Sequence, residues 1–149
     1  MENSHWKLEI GQLILSMENN YQPIRSFRDL RVYQNLHKAM IIVHTKIVPT
    51  LPKEEKFDLG DQMKRASKSS PAQIAEGFAK RYQKRAWHKY IEDSQGEANE
   101  MINHLTVCID VYPQYVNAEL CQETIDLYDI CCRQLTKLSQ SWQNFHDKN

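Results

Sequence analysis

Turn-forming residues are scarce in this sequence. Its 149 residues include four Gly and five Pro, too few to punctuate the many short strands of a sandwich or barrel. Long apolar runs are missing as well: no segment approaches the ~20 apolar residues that a membrane span requires. The one apolar run near the N-terminus, Ile10 to Met17, is interrupted by Gly11, Gln12 and Ser16. Only Lys7 precedes it, with Glu9 alongside, whereas a signal peptide combines a positive start with a cleaner apolar stretch. The expectation is a soluble, cytoplasmic protein that makes no membrane contact. Net charge is lacking too, since 19 basic residues balance 19 acidic ones. Only the distribution of charge can therefore speak for or against nucleic acid.

The signatures of chemistry are equally thin. No Gly-rich phosphate loop and no G-x-S-x-G elbow occurs, and those are the motifs that cradle phosphate or expose a nucleophilic serine. Four cysteines are present, Cys108, Cys121, Cys131 and Cys132, without a C-x-x-C pair. Adjacent Cys131 and Cys132 point about 100° apart on a helix, so the four read as reduced thiols packed as small hydrophobes. A di-iron bundle needs a Glu-x-x-His on each of two helices, and the only one here is Glu2 to His5. Glu97, Glu100 and His104 share one side of a helix, as do His37 and His44. They would build a mononuclear metal site only if the two helices faced each other; the preferred reading is histidines at the core's edge, bonded to polar neighbours. Glu76, beside Gly77, is expected to be partly buried and structural. No catalytic residue, metal ligand or cofactor is assigned, and the chain is expected not to be an enzyme.

What is present is helical periodicity. A chain of this length is one domain by prior, large enough to bury roughly 70% of its unfolded surface without staples. Residues 1–25 form an N-terminal extension, in which Trp6, Ile10, Leu13, Ile14 and Met17 keep helical spacing. It either packs on the main domain or reaches a neighbouring molecule. The main domain spans 26–149. Ser26-Phe27-Arg28-Asp29 has capping-box form, in which two orphan backbone donors find side-chain acceptors. Leu30, Tyr33, Leu36, Met40, Val43, His44 and Ile47 then recur at steps of three and four, until Pro49 and Pro52 stop the helix. A second helix, from about Leu59 to Tyr82, shows Leu59, Met63, Ala66, Ser70, Ile74 and Phe78 on one face. Pro71 within it is expected to kink or split it. A third runs from about Lys84 to Tyr112. A fourth starts near Asn117, a good cap residue, and reaches about Phe145, with Leu120, Thr124, Leu127, Tyr128, Cys131, Leu135, Leu138 and Trp142 as its stripe.

Four long helices joined by short loops predict an all-α fold, an antiparallel up-down-up-down four-helix bundle with a short N-terminal helical extension. The apolar arc of the first helix covers roughly 160°, wider than the ~100° that a surface helix needs, and that of the fourth is widened by Cys121, Ile125 and Cys132. Either tyrosines and cysteines sit at the rim of one core, or the excess marks a subunit interface. Gly96, mid-helix on a polar face, leaves the same pair of options: a tolerated surface Gly, or close approach of another backbone.

The strongest functional hint is a basic cluster. Lys64, Arg65, Lys68, Lys80, Arg81, Lys84, Arg85 and Lys89 are accompanied in their segment by one acid, Glu76. Convergent cations suit phosphate binding; the plain alternative is a solvated helical face. Interleaved Tyr82, Trp87 and Tyr90 have the chemistry to stack on bases, although Trp87 and Tyr90 fit the core stripe better.

The run Ser69-Ser70-Pro71-Ala72-Gln73-Ile74-Ala75-Glu76-Gly77-Phe78 resembles the signature of the 23S ribosomal RNA intervening-sequence proteins, a bacterial four-helix-bundle family. The opening Phe27-Arg28-Asp29-Leu30 with Val32, Tyr33, Gln34 and His37 is similar to that family's start, and Tyr90-Ile91 with Gly96 and Glu100 to its middle segment; Tyr115 falls where its last loop carries a tyrosine. The resemblance covers about Ser26 to Trp142. Gln73 stands where the family has Asn, His104 where it often has Gln, and residues 1–23 have no counterpart. The resemblance implies an antiparallel bundle assembling as a homopentameric ring without catalytic activity. Similar proteins are accessory factors of diversity-generating retroelements, in which a basic pentamer binds a reverse transcriptase and DNA or RNA; this chain, by contrast, is neutral. A scaffold that binds only proteins is the alternative.

Overall fold

The structure, a computed structural model, describes residues 23–149, so the expected helix around Trp6 to Met17 lies outside the described residues. Four long helices account for most of that span: α1 (Arg31–Ile42), α2 (Leu59–Ala79), α3 (Ala86–Val111) and α4 (Ala118–Lys148). No strand occurs among the described residues. α1 packs on α2 and α4, and α3 packs on the same two helices, which is the neighbour pattern of a four-helix bundle. No described helix is long and apolar enough to cross a membrane.

The capping box at Ser26 forms, but it opens a single 3-10 turn (Phe27–Asp29) rather than the long helix. The Asp29 carboxylate accepts the backbone N–H of Arg25 at 2.8 Å and of Ser26 at 3.0 Å, and these bonds hold its carboxyl below the usual range. Leu30 is extended, and α1 starts at Arg31. Its buried face is Val32, Asn35, Leu36, Ala39 and Ile42. Tyr33, Met40 and His44, expected in the stripe, are only half-buried on its shoulder. After Ile42 the chain widens into a π turn (Val43–Ile47) and tightens into a 3-10 turn (Val48–Thr50). Pro49 explains the change of hand-hold: it has no N–H to give, and its ring crowds the carbonyl one turn back.

α2 corrects one expectation. Pro71 neither splits nor ends it; the helix runs unbroken from Leu59 to Ala79, with Pro71 itself buried. The missing N–H costs one internal bond, at the carbonyl of Ser67, and packing on both sides supplies the compensation. Small residues let α3 come close at this point. Ser70 Oγ donates to the Ser94 carbonyl at 2.9 Å, and Ser94 Oγ donates to the Ser70 carbonyl at 2.8 Å. The face Leu59, Met63, Ala66, Ser70, Ile74 and Phe78 is buried as its spacing predicts. The expected cap of α4 also forms, with Asn117 accepting the Leu120 N–H at 3.0 Å.

The core runs the length of the bundle, from Leu36 on α1 and Val43 in the π turn through Met63 and Ile74 to Met101, Leu105, Tyr128 and Leu135. Trp87 is completely buried, edge-on to Trp142 with centroids 5.6 Å apart. Cys108, Cys121 and Cys131 are buried free thiols, and Cys132 is half-buried. Burial pushes the Cys108 thiol up to about 11 and that of Cys121 up to about 12. Both stay protonated at neutral pH, so neither is an activated nucleophile.

Candidate nucleic-acid interface

The eight cations of the basic segment do not act as one patch, because half of them have other partners. Arg65 leans across to α3, where Nη1 meets Glu97 Oε1 at 3.1 Å and Nη2 meets Glu100 Oε1 at 2.9 Å. Glu100 in turn contacts His104 Nε2 at 3.1 Å. The acid–histidine group that the sequence offers for a metal is therefore already occupied by a guanidinium. The hydrogen bonds that Arg65 donates to Glu100, then to Glu97, raise its pKa. Burial pushes the Glu100 carboxyl up, but the bonds from Arg65 and His104 outweigh it and hold the group below the usual carboxylate range. His44 faces a different way, with Nε2 3.1 Å from Ser67 Oγ, and His37 stacks beside Tyr33.

Lys80 donates to the Tyr90 hydroxyl at 2.7 Å, and Lys89 pairs with Asp93 one turn along at 3.3 Å. Arg81 is pinned. Its guanidinium carbon lies 3.8 Å from the centroid of the Phe78 ring and 4.4 Å from that of Tyr82, while Nη1 donates to the Phe78 carbonyl at 2.7 Å. Lys64, Lys68, Lys84 and Arg85 remain: all four are exposed, and none has an ion pair among the described residues. Lys64 and Lys68 follow one another on the outer face of α2, near enough to His44 to act on its charge. Lys84 and Arg85 sit at the mouth of the α2–α3 turn, where α3 starts with no side-chain cap and no acid in its first turn.

Of the three aromatics with the chemistry to stack on bases, Trp87 is core and Tyr90 half-buried, while Tyr82 is 65% exposed. Glu76 corrects another expectation, for it is exposed; Gly77 beside it is the buried residue. Gly96 faces outward, and a Cβ there would meet nothing within 4 Å. Sequence reasoning missed what α4 adds to this corner. Phe145 sets its ring edge-on to Tyr82 at 5.7 Å, and His146 Nε2 lies 2.7 Å from the Arg81 carbonyl oxygen. Phe145 follows Trp142 at a three-residue step, a regular continuation of the α4 stripe and the one signal that pointed there.

The model of the 23S rRNA-intervening sequence protein family matches residues 28–137. The chain belongs to that family. The match takes in α1, α2, α3 and more than half of α4, and with them Lys64, Lys68, Lys84 and Arg85; Phe145 lies beyond it. Among curated proteins no relative matches the chain.

Proposed function

We propose that this intervening-sequence-family chain is a non-enzymatic, homo-oligomeric, cytoplasmic bundle that binds DNA or RNA through Lys64, Lys68, Lys84 and Arg85. The observation that carries the reading is their lack of a carboxylate partner among the described residues: Lys64 and Lys68 on the outer face of α2 and Lys84 and Arg85 at the α2–α3 turn are exposed, while their neighbours Arg65 and Lys89 are neutralised. Free cations on a solvated surface displace counterions from a phosphate backbone, and that release drives sequence-independent binding. Arg81 and Lys80 belong to the same corner, but their bonds to Phe78 and Tyr90 assign them to shaping it.

The antiparallel up-down-up-down order belongs to this reading. Along α2, Arg65, Ser70 and Lys80 meet Glu100, Ser94 and Tyr90 in turn; ascending one helix descends the other. Asn99 with Cys132 and His88 with Gln143 reverse the direction again between α3 and α4. A homopentamer follows from the family resemblance, as does a role as accessory to a reverse transcriptase, and a ring would repeat the four cations about its axis.

A mobility-shift titration with DNA and RNA tests the proposal. With about four phosphates contacted, affinity should fall roughly 10²-fold between 50 and 200 mM salt. Absence of any shift at about 50 mM salt would overturn it. A second reading, a scaffold that binds only proteins, is favoured by the far end of the bundle, where Phe57 is 81% exposed and Val111 and Tyr115 are more than half exposed. That reading takes over if nucleic acid fails to bind.

A further inference from the structure

The geometry points to a single-stranded nucleic acid, rather than a duplex, as the ligand of the α2–α3 corner, with bases stacked on Tyr82 and Phe145. This inference rests on the nucleic-acid reading above and narrows it to a substrate class. Most of the cations there would treat the two forms alike, because both carry phosphates. What distinguishes them is that a single strand can turn its base faces outward, whereas a duplex has already stacked its bases on one another.

Tyr82 and Phe145 are large rings left in water, with the exposed cations Lys84 and Arg85 close to Tyr82 in the chain. Tyr82 is 65% exposed and Phe145 44% exposed, and they meet edge to face although they are far apart in sequence. Such exposure forgoes burial of a large apolar surface, so a lone structural role explains it poorly. The pair is also held in place. Arg81 lies over the Tyr82 ring and its Nη2 reaches the Tyr82 hydroxyl at 3.3 Å. His146, next to Phe145, is buried against the Arg81 carbonyl. A platform fixed from below loses little freedom when a base settles on it.

Each ring has charge near it. Lys84 and Arg85 follow Tyr82 by two and three residues, within ~10 Å along the chain. Phe145 in turn borders a shallow concavity of about 590 Å³ on the outer face of α4, which Lys137 and Lys148 flank and Gln140 and Asn144 line. Amide groups there can meet base edges, and the two lysines extend the cationic track beyond the residues that the sequence segment offered. Cations, a stacking surface and a polar trough are thus neighbours, the combination that a single strand uses.

Fluorescence anisotropy on the full chain at about 50 mM salt tests this, using labelled oligothymidylate, oligouridylate and a hairpin duplex of equal length. The single strands should bind more tightly than the duplex. Tyr82→Leu and Phe145→Leu keep apolar bulk but remove the aromatic face, and each should weaken single-strand binding roughly 5- to 100-fold while leaving duplex binding unchanged. Tyr82→Phe should bind as the parent does, and circular dichroism checks that every variant keeps its helices. Lys84→Glu with Arg85→Glu should lose both ligand forms. Equal binding of strand and duplex, with neither leucine variant changing either, would overturn the stacking inference and leave the basic-surface reading standing. No binding of any probe would overturn both.

Discussion

Gly77 and Tyr90 approach so closely that a Cβ added at Gly77 would lie 2.9 Å from the Tyr90 Cβ. Neither atom can rotate away, since each is fixed to its helix backbone. This contact brings α2 against α3 at the end of the bundle that carries Lys80, which bonds the same tyrosine's hydroxyl. In most helix interiors Gly→Ala stabilises by about 1 kcal/mol. Here the overlap should win, and Gly77→Ala should cost about 1–3 kcal/mol. Urea denaturation measures it; a stabilised Gly77→Ala protein would refute the close-packing account.

Gly96 is the matched control. Nothing lies within 4 Å of the position a Cβ would take, so within one chain Gly96→Ala should gain about 1 kcal/mol. Native mass spectrometry on the same variant examines the proposed assembly, for which the parent should give a species near five times 17.6 kDa. If another subunit's backbone rests on Gly96, the alanine should shift that species toward smaller forms. A parent that is monomeric at micromolar concentration removes the oligomer from the proposal.

Arg65→Met should reveal what the guanidinium does for Glu97 and Glu100. Because the Arg65 side chain is 56% exposed, the loss at neutral pH should be modest, about 0.5–1 kcal/mol. Glu100 has a depressed carboxyl pKa in the folded chain, so its contribution is present above the ordinary carboxylate range and is lost as pH falls through the folded value. The stability gap between parent and variant should therefore close on acidification below about pH 4. A gap independent of pH would mean that Arg65 acts by packing alone.

His44 supplies a pH test of opposite chemistry and the same sign. Burial lowers its pKa most; a hydrogen bond to the Lys64 backbone partly offsets this, and the nearby charges of Lys68 and then Lys64 lower it further. As pH falls through about 6.5 the unfolded chain takes up the proton first. Stability contributed by neutral His44 is thus complete above that pH and declines below it. His44→Gln, which keeps a partner for Ser67, should flatten this part of the profile. Tm measured between neutral and mildly acid pH reads the difference; parallel profiles would show that His44 does not titrate in that window.

Local order along the helices was legible in the sequence. The acceptors at Ser26, Asp29 and Asn117 cap because each lies within one turn of the donor it serves. The buried face of α2 follows from spacing alone, since Met63, Ala66, Ser70 and Ile74 recur at the period of the helix. Even the family was legible, because its marks are short runs whose order survives without knowledge of packing.

Pairing across helices was decided only by the tertiary structure. The sequence placed Arg65 among cations and Glu97 and Glu100 among acids, but whether the two groups met depended on how α3 turned against α2. Pro71 read as a kink or a break because propensity counts one lost bond, whereas the helix continues through it, with Pro71 buried. Phe145 reached Tyr82 for the same reason. Periodicity assigns a residue to a face of its own helix, but the bundle's closure, a balance of burial and side-chain fit over the whole chain, chooses what that face meets.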